Sequence, residues 1–133
     1  MNPIFLIHGK TLCIRRLKQT DLQHSYYEVM SLLTEVDRTI LRTRDILDYL
    51  ENEYIYFVIE DINTQMIIGT GTIIIINACT QLNQVGHIEN IMIRDDYQDI
   101  GLGDIIFHHL KYYCLNTKKC IKVTTSCEYN IHY

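Results

Sequence analysis

The sequence of 133 residues has no long apolar run and no recognisable leader segment. Its apolar stretches, residues 73–76 among them, fall far short of the roughly 18 residues that a membrane-spanning helix needs. The first residues lack the basic segment and the apolar core of a secretory signal peptide. We therefore expect a cytoplasmic protein.

Cysteine pairs with metal-ligand spacing are also absent. The cysteines form an odd set without a C-x-x-C motif: Cys13, Cys79, Cys114, Cys120 and Cys127. This pattern argues against a disulfide framework and a zinc ribbon, so we expect reduced, partly buried thiols. His87 and Glu89 share one face of a predicted strand, but no third ligand has a useful spacing. We therefore expect no metal.

A strong charge of either sign is missing as well. The formal net charge of −4 gives no general reason to expect nucleic acid or an anionic membrane as a partner. An anionic ligand would have to be held by local groups. The only proline is Pro3, and repeats and biased linkers are absent, so we expect one domain over residues 1–133.

The sequence does contain a series of strand and helix patterns. Alternation and dense β-branched residues predict strands at residues 11–17, 54–60, 66–76, 86–94 and 120–127. Apolar spacing, with a capping box at Thr20, predicts helices at residues 20–34, 44–52 and 104–115. Runs of strands between helices are typical of a mixed α/β sheet and not of a doubly wound fold.

Residues 97–104, between a predicted strand and a predicted helix, carry the most informative pattern. Gly101 and Gly103 let the backbone turn tightly and bring several N–H groups onto one ligand. The following helix adds its N-terminal N–H groups and dipole, an arrangement that suits a pyrophosphate. Neither a Walker A pattern nor the third glycine of the dinucleotide fingerprint is present. Taken alone, such a segment is more often an ordinary turn.

Neighbouring motifs make this segment more specific. Gln98, Gly101 and Gly103 meet the Q/R-x-x-G-x-G/A pattern that follows a hydrophobic strand in the GNAT superfamily of acetyltransferases. Residues 86–93, GHIENIMI, resemble the G-H-[IV]-E-D-[IV] strand of the glucosamine-6-phosphate N-acetyltransferase family. Further similarities are IRRL at 14–17, LTEV at 33–36, CIKV at 120–123 and NI at 130–131. The resemblance covers nearly the whole chain.

The resemblance implies a GNAT fold of the mixed α/β, α+β-like class, whose mostly antiparallel central sheet is flanked by helices. It implies an acyltransferase that moves the acetyl group of acetyl-CoA directly onto the amine of glucosamine 6-phosphate. The product, N-acetylglucosamine 6-phosphate, feeds UDP-GlcNAc biosynthesis, and the family forms homodimers. It implies no nucleic acid, membrane or metal.

The same resemblance assigns roles to individual residues. The implied coenzyme-binding positions are Ile91, Met92, Ile93, Gln98, Asp99, Ile100, Gly101, Leu102, Gly103, Asp104 and Asn130. A backbone N–H near Met92 would stabilise the oxyanion, and a carbonyl near Ser126 would orient the amine. The implied acceptor-binding positions are Thr34, Glu89, Asn90 and Lys122. Strand alternation puts Glu89 and Asn90 on opposite faces unless a bulge intervenes.

Three departures from the family pattern accompany these matches. Asp99 and Asp104 flank the glycines where the family has small or basic residues, and their charge opposes a bound pyrophosphate. Asn90 replaces an aspartate that would pair with the ammonium of the sugar. The sequence stops at Tyr133, before the family's F-Y-x-K-x-G-[FY] segment, thiolate-protonating tyrosine and closing strand. We therefore expect a truncated sheet with an open edge.

Two alternatives stay open. A GNAT enzyme that acts on another amine, such as a polyamine or a protein N-terminus, would share the coenzyme loop, and Asn90 is compatible with it. A catalytically impaired domain that binds CoA or a protein partner is favoured by Asp99, Asp104 and the missing tyrosine. Coenzyme binding separates both enzymes from a pure interaction module, and a panel of amines separates the two enzymes from each other.

Overall fold

The protein was analysed as a computed structural model, which describes residues 2–18, 20–21, 53–77 and 84–125. These residues form a six-stranded sheet whose strands lie side by side in sequence order. The strands are β1 (Ile4–Ile7), β2 (Lys10–Arg16), β3 (Glu53–Asp61), β4 (Met66–Asn77), β5 (Gln84–Ile93) and β6 (Lys122–Thr125). β1 to β5 pair antiparallel, and β6 pairs in parallel with β5. The expected mixed, mostly antiparallel sheet is confirmed.

The predicted elements that fall in the described residues agree with the observed ones except at their ends. The helix predicted from Asp104 begins two residues earlier, as α1 (Leu102–Tyr112), and continues into one π-helical turn, Tyr113–Thr117. The last predicted strand is shorter, because β6 starts at Lys122. The helices predicted at residues 20–34 and 44–52 lie outside the described residues, apart from residues 20–21.

β1 was missed by the sequence patterns, which predict no strand before residue 11. It pairs with β2 through a two-residue turn in which His8 and Gly9 both have positive φ, 48° and 75°. Such turns match the twist of an antiparallel hairpin. Residues 4–7 are all apolar, so they lack the alternation that marks a half-buried strand. Ile4 and Leu6 accordingly remain 65% and 72% exposed.

α1 and the π-helical turn that follows it pack directly on the sheet over two glycines. A Cβ atom at Gly71 of β4 would lie 2.7 Å from Leu110 Cδ1, and one at Gly86 of β5 would lie 2.6 Å from Cys114 Sγ. Side chains larger than hydrogen at these two positions would push the helix away from the strands. The helix and the strands share one buried apolar cluster that contains Ile88 and Ile106.

Three of the cysteines lie in the described residues, and all are free and buried: Cys13, Cys114 and Cys120. This agrees with the expectation of reduced thiols, while Cys79 and Cys127 lie outside the described residues. Burial, together with the neighbouring Cys120 thiol, raises the pKa of Cys114 to about 12. A thiol with so high a pKa is a packing group and a poor nucleophile at neutral pH.

A buried ion pair fastens the segment after β2 to the sheet. Arg15 donates to both carboxylate oxygens of Asp21 at 2.8 Å and to Glu60 Oε1 at 3.1 Å. Burial alone would raise the pKa of Asp21, but these bonds and the backbone N–H of Lys18 lower it below its usual range. Because Arg15 and Asp21 are almost fully buried, removal of Arg15 would leave the buried Asp21 carboxylate without its cationic partner.

We predict that Gly86→Ala destabilises the fold by about 1–3 kcal/mol, because the new methyl group overlaps the Cys114 side chain. The companion variant Cys114→Ala removes the sulfur and costs about 1 kcal/mol as a cavity. The double variant should lose less stability than the sum of the losses in the two single variants. Urea unfolding of the parent, both single variants and the double variant measures these free energies of unfolding. Strictly additive losses would show that this contact does not limit the approach of the helix.

Candidate functional site

The loop between β5 and α1 has the backbone shape that the glycine pattern predicts. After Ile93 the chain forms a 3-10 turn, Asp95–Tyr97, and then reverses through two residues with positive φ. Asp99 has a φ of 65°, and Gly101, the N-cap of α1, has a φ of 86°. The left-handed conformation at Gly101 is one that glycine adopts without steric cost.

This loop presents a row of backbone N–H groups. The Gln98 amide donates to Asp95 O at 3.4 Å, and the next backbone amide bond comes from Ile105, which donates to Gly101 O at 3.2 Å. Within the part of the chain that the structure describes, the amides of residues 99–104 donate no backbone hydrogen bond. They are the orphan donors of a helix start plus those of the turn before it. Such a row suits an anionic ligand with several oxygens.

The open side of the loop is also compatible with a ligand. Gly101 is exposed, and a Cβ atom built on it would meet no heavy atom within 4 Å. The side chains of Leu102 and Ile106 point into the core and anchor the first turn of the helix. The helix start is therefore rigid on its inner side and accessible at its amide end.

Three side-chain contacts hold the loop against the sheet. The Tyr97 hydroxyl donates to Asp61 Oδ2 at 2.6 Å, and Lys10 Nζ lies 4.2 Å from the centroid of the Tyr97 ring. The side-chain amide of Gln98 donates through Nε2 to Ile93 O at 2.9 Å. Burial and the bond to Asp61 raise the pKa of Tyr97 to about 12. Sequence reasoning missed Asp61, since nothing in the hairpin turn signals a partner 36 residues away.

The charge around the loop opposes an anion. Four aspartates fall in residues 95–104, namely Asp95, Asp96, Asp99 and Asp104. Arg94 neutralises part of this charge, because its Nε lies 3.1 Å from Asp96 Oδ1. Asp99 and Asp104 are both exposed, so solvent screens them. The hydrogen-bond donors of the loop are backbone amides, whereas the negative charges that oppose an anionic ligand are on aspartate side chains.

A β-bulge interrupts β5 just before the loop. In the pairing with β4, Thr72 lies opposite Glu89 and Thr70 opposite Met92, so two residues of β5 face one of β4. Asn90, within the bulge, has a φ of 57°, and its carbonyl accepts a hydrogen bond from Thr70 Oγ1 at 3.2 Å. A bulge of this kind re-aims side chains and bends its strand.

The bulge changes the relation between Glu89 and Asn90. Simple alternation puts them on opposite faces unless a bulge intervenes, and the bulge at Asn90 is that exception. Asn90 Nδ2 donates to Glu89 Oε1 at 3.4 Å, so the two side chains meet. Glu89 also has His87 as a neighbour, with Nε2 3.7 Å from Oε2. The two implied acceptor-binding side chains of β5 therefore lie together.

The end of β5 contributes its backbone more than its side chains. Ile91 and Ile93 are buried, with 3% and 1% of their surface exposed, and Met92 is half-buried. The parallel pairing with β6 ends at Ile88 opposite Thr125. Among the described residues no strand flanks residues 89–93 on that side.

Other implied site residues are placed less closely or lie outside the described residues. Lys122 is exposed and pairs with Val85, about 13 Å along β5 from Glu89 at the usual rise of a strand. Thr34, Ser126 and Asn130 lie outside the described residues.

His87 and Glu89 remain a pair: in the described ranges no group of three or more His, Cys, Asp or Glu side chains is placed to hold a metal ion. A separate search of the same ranges finds no helix long and apolar enough to cross a membrane.

Comparison with known proteins agrees with this geometry. Residues 19–132 match the Acetyltransferase (GNAT) family. The chain belongs to the GNAT acetyltransferase family. The match includes β5, the whole loop after it and α1. The resemblance drawn from Gln98, Gly101 and Gly103 is thereby confirmed.

Three proteins of known description are similar to this chain in sequence or structure. A protein described as probable glucosamine 6-phosphate N-acetyltransferase from Drosophila melanogaster is 31% identical over 100 residues, which cover 70% of this chain and 44% of that protein. This chain thus matches less than half of that relative's length. The crystal structure of glucosamine-6-phosphate N-acetyltransferase from Arabidopsis thaliana aligns with a TM-score of 0.72 at 25% identity, covering 90% of this chain and 84% of that one. A Trypanosoma brucei acetyltransferase aligns with a TM-score of 0.72 at 26% identity, covering 88% and 83%.

We predict that Gly101→Val raises the dissociation constant of acetyl-CoA at least about tenfold. A β-branched residue at a φ of 86° is strained and turns the loop amides away from one another. The matched control is Gly9→Val, since Gly9 also has positive φ and open space at its Cβ position but lies in the β1–β2 turn. Calorimetric titration checks both. An equal loss of affinity in the two variants would mean that strain acts through the whole fold and not through the loop.

A second prediction concerns Tyr97→Phe. The hydrogen bond to Asp61 needs a neutral phenol, and its pKa is raised to about 12, so its stabilisation is present below the ordinary tyrosine pKa and is lost as pH rises towards 12. The variant should be about 1–2 kcal/mol less stable than the parent at neutral pH. The gap should close as pH increases above about 10. Urea unfolding over a pH series measures it, and a gap independent of pH would contradict the assignment.

Proposed function

We propose that this protein is an acetyl-CoA-dependent N-acetyltransferase whose acceptor is glucosamine 6-phosphate. The observation that carries the proposal is the row of amides at residues 99–104, at the start of α1 and directly after β5. These amides are suited to the pyrophosphate of CoA. Together with the family membership, they support the donor, while the similarity to the Drosophila and Arabidopsis proteins supports the acceptor.

The proposed reaction is a direct transfer. The amine nitrogen of the sugar attacks the thioester carbonyl carbon, so that a C–N bond forms and the C–S bond breaks. One proton leaves the nitrogen, and the departing CoA thiolate takes up one proton. The Met92 backbone N–H is proposed to stabilise the negative charge on the tetrahedral oxygen, and binding both substrates together supplies proximity. The carbonyl near Ser126 is proposed to orient the amine.

The acceptor is proposed to lie beside the bulge of β5. Glu89 supplies a carboxylate that attracts the ammonium of the sugar, and Asn90 supplies an amide suited to hydroxyl groups. Their contact at 3.4 Å keeps both groups at one place. Lys122 and Thr34 are retained as proposed phosphate contacts, and Asn130 as a proposed CoA contact. A homodimer, as in the resembling family, and a cytoplasmic location belong to the same proposal.

A GNAT enzyme with a different acceptor amine is the second candidate. The observation in its favour is Asn90, whose neutral amide leaves Glu89 as the one carboxylate of this pair of side chains. A monoamine without a phosphate would not need the positive charge of Lys122. That residue pairs with Val85, four residues before Glu89 on β5. The two candidates share the coenzyme loop and differ in the acceptor.

The deciding experiment titrates the protein with acetyl-CoA and then measures free-thiol release after an amine is added. Glucosamine 6-phosphate, glucosamine and spermidine form the panel. Binding followed by thiol release with glucosamine 6-phosphate, and little with the other two, supports the proposal. Release with glucosamine or spermidine instead favours the second candidate. Binding without release from any amine would overturn the enzymatic proposal, and no binding at all would overturn the coenzyme assignment.

We predict that Asp99→Asn lowers the dissociation constant of acetyl-CoA about twofold to fivefold. The change removes one negative charge beside the helix start, and asparagine tolerates the φ of 65° as well as aspartate does. Glu53→Gln is the control, because it makes the same charge change at the first residue of β3. The loop contacts the other end of that strand, at Asp61. The gain should shrink at high salt. Equal effects from both variants would assign the gain to net charge alone.

A further inference from the structure

His87 is held between two strands by contacts to both of its ring nitrogens. Its Nδ1 lies 2.7 Å from Thr124 Oγ1 on β6, its partner in the parallel register. Its Nε2 lies 3.7 Å from Glu89 Oε2, two residues further along β5 on the same face. About three quarters of the His87 side chain is buried, since 23% of its surface is exposed. The ring therefore bridges β6 and Glu89.

These contacts select the position of the ring proton. A carboxylate only accepts hydrogen bonds, so the nitrogen beside Glu89 is favourable when it carries a proton and unfavourable when it presents a lone pair. The Thr124 hydroxyl serves either state at Nδ1, because it can donate to a bare nitrogen or accept from an N–H. In the neutral ring the hydroxyl donates to Nδ1, and the proton stays on Nε2. The partner of one nitrogen thus fixes the state of the other.

We propose that His87 is a positioning residue that orients the Glu89 carboxylate, with Glu89 favouring the proton on Nε2 and the Thr124 hydroxyl donating to Nδ1. Each carboxylate oxygen then has its own neighbour, the Asn90 amide at Oε1 and the His87 ring at Oε2. At 3.7 Å the His87 contact is electrostatic and longer than a hydrogen bond. Its catalytic consequence rests on the proposed function, in which Glu89 binds the acceptor amine.

The location explains why a side-chain support is needed there. The described register of β5 and β6 includes Ile88 opposite Thr125, and the bulge of β5 begins at Asn90, so Glu89 directly precedes a break in the β4–β5 pairing. The ladder hydrogen bonds that fix a side chain in a regular strand are interrupted beside it. Through His87, Thr124 of β6 supports Glu89 beside the bulge.

The kinetic test compares His87→Leu with His87→Gln. The leucine variant removes both polar contacts and should lower kcat about tenfold, because a misplaced acceptor reacts poorly, while KM for acetyl-CoA changes less than about twofold. Glutamine keeps an N–H donor near the Nε2 position and should restore kcat to within about threefold of the parent. His8→Asn, in the β1–β2 turn, is the histidine control. Equal kcat in parent and leucine variants overturns the positioning role.

A second measurement does not depend on catalysis. Nitrogen-15 NMR of the histidine rings, assigned by loss of the His87 signal in His87→Gln, reports which nitrogen carries the proton when ordinary imidazoles are neutral. We expect protonated Nε2 and bare Nδ1 in the parent and a mixed population in Glu89→Leu, because that variant lacks the carboxylate that favours the Nε2 proton. A parent ring protonated on Nδ1 overturns the inference. A parent protein with the expected tautomer but no acetyl transfer would overturn the proposed function and leave the contact intact.

Discussion

The close contact between α1 and the sheet is the constraint on which the site depends. Gly71 and Gly86 let the helix lie where a single added carbon would overlap Leu110 or Cys114. The helix axis is thereby fixed relative to β5, and its first turn is fixed in the core through Leu102. The loop has to join two rigid ends, so its amides converge without the help of a ligand.

Geometry and charge act in opposite directions at this loop, and their magnitudes decide between them. A hydrogen bond to a charged oxygen contributes about 1.5–3 kcal/mol, and several amides are available at once. An exposed carboxylate near a helix start contributes only about 0.3–1 kcal/mol in solvent. Asp99 and Asp104 are both exposed. The backbone donors therefore outweigh the acidic side chains, which adjust the affinity and do not abolish it.

Local patterns predicted the strands and the loop, while contacts between distant segments escaped them. β3, β4 and β5 follow from their β-branched residues, and the loop follows from Gly101 and Gly103. β1 lacks alternation and was missed. The bulge at Asn90 is a property of how β4 and β5 pair, which one strand alone does not encode. The bridge from His87 to Thr124 likewise needs the parallel register of β5 and β6. Sequence reasoning had treated the histidine only as a possible metal ligand.

The Asp61 carboxylate links two loops that are far apart in the chain. One oxygen accepts the Tyr97 hydroxyl and the other accepts the Asn63 backbone N–H inside the β3–β4 turn. An insertion or deletion in that turn would therefore displace the support of the loop after β5. Turns at hairpin tips ordinarily tolerate changes of length. Here the number of residues in the turn is set by the site, which makes this hairpin unsuitable for a tag, a graft or a circular permutation.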